Sequence, residues 1–416
     1  MTRQLAGATD PGTWWDGAFR PGGAVPDIAK PSPLGRRVRL GLVGGGTGAL
    51  IGPVHRIAVR MDNRFELVAG VLSSRPAHAM AAAAALGLRG YADVPAMLAG
   101  EARLPDGIDA VAVMTPNDSH AAFVDLALEA GLDAICDKPL TNDLASALAL
   151  AGKARAKGLV LSLTHNYSGY PMVREARAAV AAGELGPIRI VKVAYVQGSL
   201  GTKVEDCPET VPSRLKWRLD PALGGASHVL GDIGTHAHQL LTYVTGQRVA
   251  AVLADAGAAL PGRVAHDTAC VILRMQDGAR GVLFATKAAT GAENALSLEV
   301  YGEAGGLSWQ QATANELRVM RHNRPAEIRS RGLPTLHPLA KRATRLPPGH
   351  PEGFLEAFAT VYDDFAELVA ARLAGISPDP LAQQGPDGWT GVDGLAFIDA
   401  CLHSTGTGAW AECRHV

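Results

Sequence analysis

The chain is 416 residues long, 47% hydrophobic and 19% charged, with a formal net charge of -1. A single core rarely grows past about 250–300 residues, so two domains are expected. The near-zero charge, with no basic run interleaved with aromatics, excludes long-range attraction to nucleic acid or to an anionic membrane surface.

Residues 1–36 read as an irregular arm. Pro21, Pro26, Pro31 and Pro33, with Gly22 and Gly23, break regular structure there, while Trp14, Trp15 and Phe19 are expected to dock on the body or on a neighbouring subunit. From residue 38 short apolar strands alternate with helices. Strands are expected at Val38–Val43, Glu66–Leu72, Ala110–Met114, Leu132–Cys136 and Leu159–Leu163. Helices are expected at Pro53–Met61, Ala77–Leu86, Ser119–Ala130 and Leu144–Ala156. Such alternation predicts a doubly wound parallel sheet of Rossmann type, covered on both faces, over residues 37–163.

Beyond about residue 185 the texture changes. Ile188–Val196, Ala250–Leu253, Thr268–Arg274, Ala279–Thr286, Leu296–Tyr301 and Gly306–Trp309 read as strands, separated by turns such as Asp277-Gly278 and Gly305-Gly306. Residues 164–416 therefore predict an α+β domain built on a large open mixed sheet, mostly antiparallel. Residues 322–352, rich in Pro, Arg and His, predict a long loop. Gly353–Ala371 and Val392–Cys401 predict helices, free to pack back on the first domain.

No stretch in the first thirty residues suits a signal peptide, and later apolar runs are too short and interrupted to span a membrane. Cys136, Cys207, Cys270, Cys401 and Cys413 are odd in number and form no C-x-x-C pair. A disulfide framework or zinc ribbon is not expected, and a cytoplasmic setting is.

The first strand runs into Gly44-Gly45-Gly46 and then a helix. Glycines let backbone approach a pyrophosphate, and a helix N-terminus offers free N–H groups to it. Gly44 and Gly46 fit the first two positions of a dinucleotide fingerprint, and the third is Ala49 or Gly52. Glu66 opens the second strand rather than closing it, so no acidic residue stands where a ribose diol is usually bound. That strand end carries Ser73-Ser74-Arg75 instead, whose hydroxyls and guanidinium suit a 2′-phosphate and favour NADP over NAD.

Thr115-Pro116-Asn117 with His120, and then Asp137-Lys138-Pro139, follow the ends of the next two strands, where open α/β sheets bind ligands. Farther on, Asp232 and His236 are four residues apart in a helical stretch and share a face. A histidine there suits a general base, and a carboxylate can orient it. His238 points to another helix face and reads as structural, so no metal is expected.

Together these segments closely resemble the Gfo/Idh/MocA family of oxidoreductases over residues 38 to about 405. Asp137-Lys138-Pro139 replaces the family's common Glu-Lys-Pro, and the glycine loop is longer than usual. The resemblance implies a front dinucleotide-binding domain for NAD or NADP and a back domain that builds the substrate pocket and subunit interface. It implies that Lys138 and His236 are the catalytic pair and that Asp232 binds and orients substrate. It also implies substrate contacts from His165, Asn166, Tyr167, Trp217, Arg218 and His228. The activity implied is hydride transfer between the nicotinamide and a secondary alcohol of a sugar, glycoside, polyol or cyclitol, in a homodimer or homotetramer. Two alternatives use the same fold: redox-coupled epimerisation or elimination with retained cofactor, and a non-catalytic dinucleotide-sensing regulator.

Overall fold

The structure, a computed structural model, describes residues 32–46, 49–206, 217 and 219–414. Residues 1–31 of the arm, with Trp14, Trp15 and Phe19, lie outside the described residues, as do Cys207 and Arg218. Six strands form the first sheet: β1 (Val38–Gly44), β2 (Phe65–Val71), β3 (Arg89–Gly90), β4 (Ala110–Met114), β5 (Asp133–Cys136) and β6 (Leu161–Leu163). Their order is β3-β2-β1-β4-β5-β6, and every pairing is parallel. β4 is buried at all five positions because helices cover both faces, so its sequence shows no alternation.

The connecting helices are α1 (Gly52–Met61), α2 (Pro76–Ala85), α3 (Val94–Glu101), α4 (His120–Glu129) and α5 (Leu144–Lys157). Local chemistry sets their ends. Asp93 accepts a hydrogen bond from Ala96 N at 2.8 Å to start α3, and Asp143 accepts one from Ser146 N at 2.8 Å to start α5. α5 stops at Gly158, which takes a φ of 64°.

The second sheet has nine strands: β7 (Ile188–Val196), β8 (Val249–Gly257), β9 (Thr268–Met275), β10 (Arg280–Thr286), β11 (Ala295–Gly302), β12 (Gly306–Gln310), β13 (Glu316–Met320), β14 (Glu327–Ser330) and β15 (Ala411–Glu412). The order is β14-β13-β12-β11-β7-β10-β9-β8-β15, antiparallel except for the parallel pair of β7 and β10. Alternate residues face opposite sides. One side is covered by α6 (Pro171–Ala181), α7 (Thr235–Thr245) and α10 (Gly388–Thr407). The other side is open and exposes Ile190, Ile272, Val282 and Phe284.

The stretch 322–352 is not one long loop, because it contains β14 and a short helix, α8 (Pro338–Arg342). Arg329 in β14 is held by Glu184 at 2.6 Å and Glu175 at 3.2 Å, contacts across the chain that composition alone does not announce. The long helix α9 (Phe354–Ala374) returns to the first sheet. Its Phe358, Tyr362 and Phe365 share a core with Leu40, Leu42 and Phe65. Buried ion pairs fix its polar face: Arg64 bonds Asp363 at 3.1 Å and Glu367 at 2.8 Å, and Arg174 pairs with Asp364. Charges this deep are tolerated only with such partners. Among the described residues no helix is long and apolar enough to cross a membrane.

Candidate active site

β1 ends in backbone that only glycine adopts easily. Gly44 has φ 84° and Gly45 φ 68°. A Cβ on Gly46 would stand 2.0 Å from the Leu72 carbonyl oxygen, and one on Gly52 would stand 2.0 Å from that of Gly45. Gly52 opens α1 and packs directly on the loop, so it takes the close-packing position that the sequence left between Ala49 and Gly52. Ala49 lines the cleft above, its N–H donating to the Gly46 carbonyl at 3.1 Å. A cavity of about 840 Å³ opens here, bounded by this loop, by Ser73 and Ser74 after β2, and by the loops after β4 and β5. Arg75 starts α2 at the exposed rim and is not among the residues lining this cavity. The glycine cradle, the helix N-terminus and a cavity of this volume fit a dinucleotide.

Thr115, Pro116 and Asn117 line the next stretch of the cavity. Ser119 Oγ donates to Thr115 Oγ1 at 2.8 Å, and Asn117 Nδ2 donates to the Gly224 carbonyl at 3.4 Å. His120 is buried and sits between two strand-end loops: Nδ1 is 2.8 Å from the Pro139 carbonyl oxygen and Nε2 is 2.9 Å from that of Thr115. It ties the loops together and does not line the cavity. The Lys138–Pro139 peptide is cis. Asp137 anchors this turn, accepting from Thr164 Oγ1 at 2.5 Å and from Lys138 N at 3.1 Å. Burial pushes its carboxyl upward, but His55, Lys138, Thr164 and His120 outweigh it and hold it below the ordinary aspartate value.

Lys138 and Asp232 meet on the cavity wall. Lys138 Nζ donates to Asp232 Oδ1 at 3.0 Å and to the Asp232 carbonyl at 2.7 Å. Asp232 lies in a single wide π-helical turn, Leu230–Gly234, that leads into α7. Such turns recur at functional sites because they re-aim a side chain. The other carboxylate oxygen, Oδ2, is held by Lys287, a residue the sequence reading missed. No pattern in the sequence marks it; its burial, in a run with Ala285 and Thr286, emerges only in the fold. The Asp232 carboxylate thus joins two ammonium groups, and it acts on His236 through its charge.

His236 lies behind this group, 8% exposed. Its ring is perpendicular to those of His165 and Tyr167, with centroids at 5.4 Å and 4.9 Å. Burial, then the Lys138 ammonium and His165, hold the His236 imidazole well below the ordinary histidine value, with Asp232 opposing. His165 is pushed down to about 3, chiefly by burial and then by Lys138. Tyr167 Oη lies 2.5 Å from Tyr195 Oη, and Tyr195 donates to Asn294 Oδ1 at 2.9 Å. Asn166 is buried beside them, its Nδ2 without a hydrogen bond among the described residues. His228 and Trp217 line the cavity along with Thr115 and Asn117, whereas His165, Asn166 and Tyr167 are buried and do not line it. His238 stacks on Phe397 at 4.4 Å.

The fold and the cleft define a dinucleotide-binding oxidoreductase. Residues 38–165 match the family model described as "Oxidoreductase family, NAD-binding Rossmann fold", and residues 173–308 match the GFO/IDH/MocA C-terminal domain; the chain belongs to the Gfo/Idh/MocA oxidoreductase family. It is 30% identical to the uncharacterized oxidoreductase YfiI of Bacillus subtilis over 92% of this chain and 98% of that one. It is 28% identical to levoglucosan dehydrogenase of Pseudarthrobacter phenanthrenivorans over 68% of this chain and 76% of that one. Among solved structures, an inositol dehydrogenase homologue from Azotobacter vinelandii, complexed with NADH and myo-inositol, aligns with a TM-score of 0.82 at 32% identity. That alignment covers 92% of this chain and 99% of that one.

Proposed function

We propose that the protein is an NAD(P)-dependent dehydrogenase or reductase acting on a secondary alcohol or ketone of a sugar, glycoside, polyol or cyclitol. The observation that carries this reading is the meeting of Lys138 and Asp232 on the wall of the cleft that the glycine loop opens, with a neutral His236 directly behind. The relatives named for levoglucosan and inositol support the polyhydroxylated class of substrate. Gly44, Gly46, Ala49, Gly52, Ser73, Ser74, Thr115, Pro116, Asn117, Asp137 and Lys138 would hold the dinucleotide. A bound nicotinamide would supply the hydride acceptor or donor.

The chain's own residues supply the rest. Neutral His236 accepts the carbinol proton on oxidation and returns it on reduction. Lys138 donates to the reacting oxygen and stabilises its alkoxide character. Asp232 holds the Lys138 side chain in place through two hydrogen bonds. Ser73 and Ser74 on the wall, with Arg75 at the rim, favour NADP. The apolar residues on the open face of the second sheet support a homodimer or homotetramer, which light scattering would test.

The test is a screen of polyols, sugars and glycosides with NAD+ and NADP+, read at the reduced-nicotinamide absorbance. Substrate-dependent reduction, at least as strong with NADP+, is expected. Isomerised or dehydrated product without net absorbance change would replace this reading with a retained-cofactor reaction. Dinucleotide binding with no turnover of any kind would replace it with a sensor.

A further inference from the structure

Lys287 stands just after β10, and its backbone is clamped from two sides. Its N–H donates to the Asp267 carbonyl at 2.8 Å, and its carbonyl accepts from Leu200 N at 2.8 Å. Both neighbours are tied to one buried cation: Arg263 Nη1 donates to Leu200 O at 2.8 Å and to Asp267 Oδ2 at 2.9 Å. Arg263 is further fixed by Glu205 at 2.8 Å. The Lys287 side chain, 7% exposed, ends on Asp232 Oδ2.

A second cation here is not needed to neutralise Asp232. Lys138 already pairs with Oδ1, and the Asp232 side chain is 22% exposed, so water could solvate the other oxygen. Burying an extra ammonium costs desolvation, and an apolar residue of similar volume would often be as stable or better. What Lys287 adds is geometry. With Oδ2 taken, the carboxylate cannot rotate away, and Oδ1 stays on Lys138. An ammonium has three protons. Two of those on Lys138 are used by Asp232 Oδ1 and Asp232 O, which leaves one for the cavity.

We propose that Lys287 is a positioning residue for the reaction: it locks the Asp232 carboxylate in the orientation that holds the Lys138 ammonium over the cleft with one proton free for the reacting oxygen. This rests on the dehydrogenase reading above. The charged and titratable groups facing Lys138 are Asp137, His165, Asp232 and His236, and Lys287 reaches Lys138 through Asp232.

The test compares Lys287→Met and Lys287→Arg with wild type. Misplacing a catalytic group by about 1 Å costs on the order of 10²-fold, so kcat should fall by that order in Lys287→Met. KM and dinucleotide Kd should be nearly unchanged, and Lys287→Arg should recover most of the rate. A raised KM at unchanged kcat would make Lys287 a substrate contact and overturn the proposal, as would wild-type kcat. A readout independent of turnover is the crystal structure of Lys287→Met: the Asp232 carboxylate should turn and its 3.0 Å contact with Lys138 Nζ should open; an unmoved Asp232–Lys138 pair overturns the proposal. If wild type oxidises no alcohol, the dehydrogenase reading fails by itself, and the position of Asp232 in the variant still decides the lock. Should Lys287→Met not fold, Lys287→Gln takes its place in both measurements.

Discussion

Lys138→Met removes one of two ammonium groups from Asp232 without stranding the carboxylate. Lys287 remains on Oδ2, and the Asp232 side chain is partly exposed, so no buried charge loses its last partner. The change in stability should therefore be small, about 1 kcal/mol or less, in contrast to the 3–5 kcal/mol typical of a broken buried pair. The change in rate should be large. A positioned donor to a developing oxyanion is worth on the order of 10²–10³ in kcat, or roughly 3–4 kcal/mol of barrier. A second effect has a definite sign. After burial, the Lys138 ammonium is the largest influence holding His236 below its ordinary value. Its removal lets His236 protonate at higher pH, and since oxidation needs the neutral imidazole, the acidic limb of kcat/KM moves up in pH. The assay is steady-state oxidation against pH, with dinucleotide Kd measured separately by nicotinamide fluorescence. A near wild-type kcat, or an acidic limb that moves down or stays, would refute the role given to Lys138.

Four further perturbations probe the cradle and the frame. Gly46→Ala puts a Cβ against the Leu72 backbone, so dinucleotide Kd should rise by about tenfold or more. Gly152→Ala in α5, where a Cβ meets nothing within 4 Å, should instead stabilise the fold by about 0.5–1 kcal/mol; both are read by titration and thermal melting. His55, His165 and His236 all have depressed values, led by burial. Each stabilises the fold fully above the unfolded histidine value near 6.5, and that stability is lost as pH falls, by up to about 1.4 kcal/mol per pH unit per group. Urea midpoints should drop from pH 7 to pH 5, and a flat profile would remove these histidines from the linkage. Arg174→Met leaves Asp364, among the described residues, one ion pair, the 3.2 Å contact with Arg342, and should cost about 3–5 kcal/mol, seen as a lower Tm.

Much of this fold was legible in the sequence because its signals are local. β7 was read with both ends correct, Ile188 to Val196, since β-branched residues run between turn signals. The glycine loop, Thr115-Pro116-Asn117 and Asp137-Lys138-Pro139 announced themselves by following strands. What escaped depends on distant partners. β3 has two residues and exists only by pairing with β2. β14 and α8 are hidden in a Pro- and Arg-rich stretch whose charges are consumed by Glu175, Glu184 and Asp379. α6 begins at Pro171 after a 3-10 turn and buries charged Arg174 and Glu175, which blurs its apolar face. The four-residue spacing of Asp232 and His236 suggested a carboxylate orienting an imidazole. The π turn and Lys287 instead give that carboxylate to two lysines. A lone lysine after a strand carries no motif, and only the tertiary fold brings it to the site.

The most direct test of the central claim follows a label. A polyol that turns over in the screen, deuterated at its reacting carbinol carbon, is incubated with the enzyme and oxidised dinucleotide, and the nicotinamide is examined by NMR. Deuterium on the nicotinamide ring and a primary isotope effect on kcat/KM are expected, with the rate of label transfer lowered by roughly 10²-fold or more in Lys138→Met and in His236→Asn. Deuterium found only in solvent, or transfer that survives both substitutions at full rate, would contradict the claim.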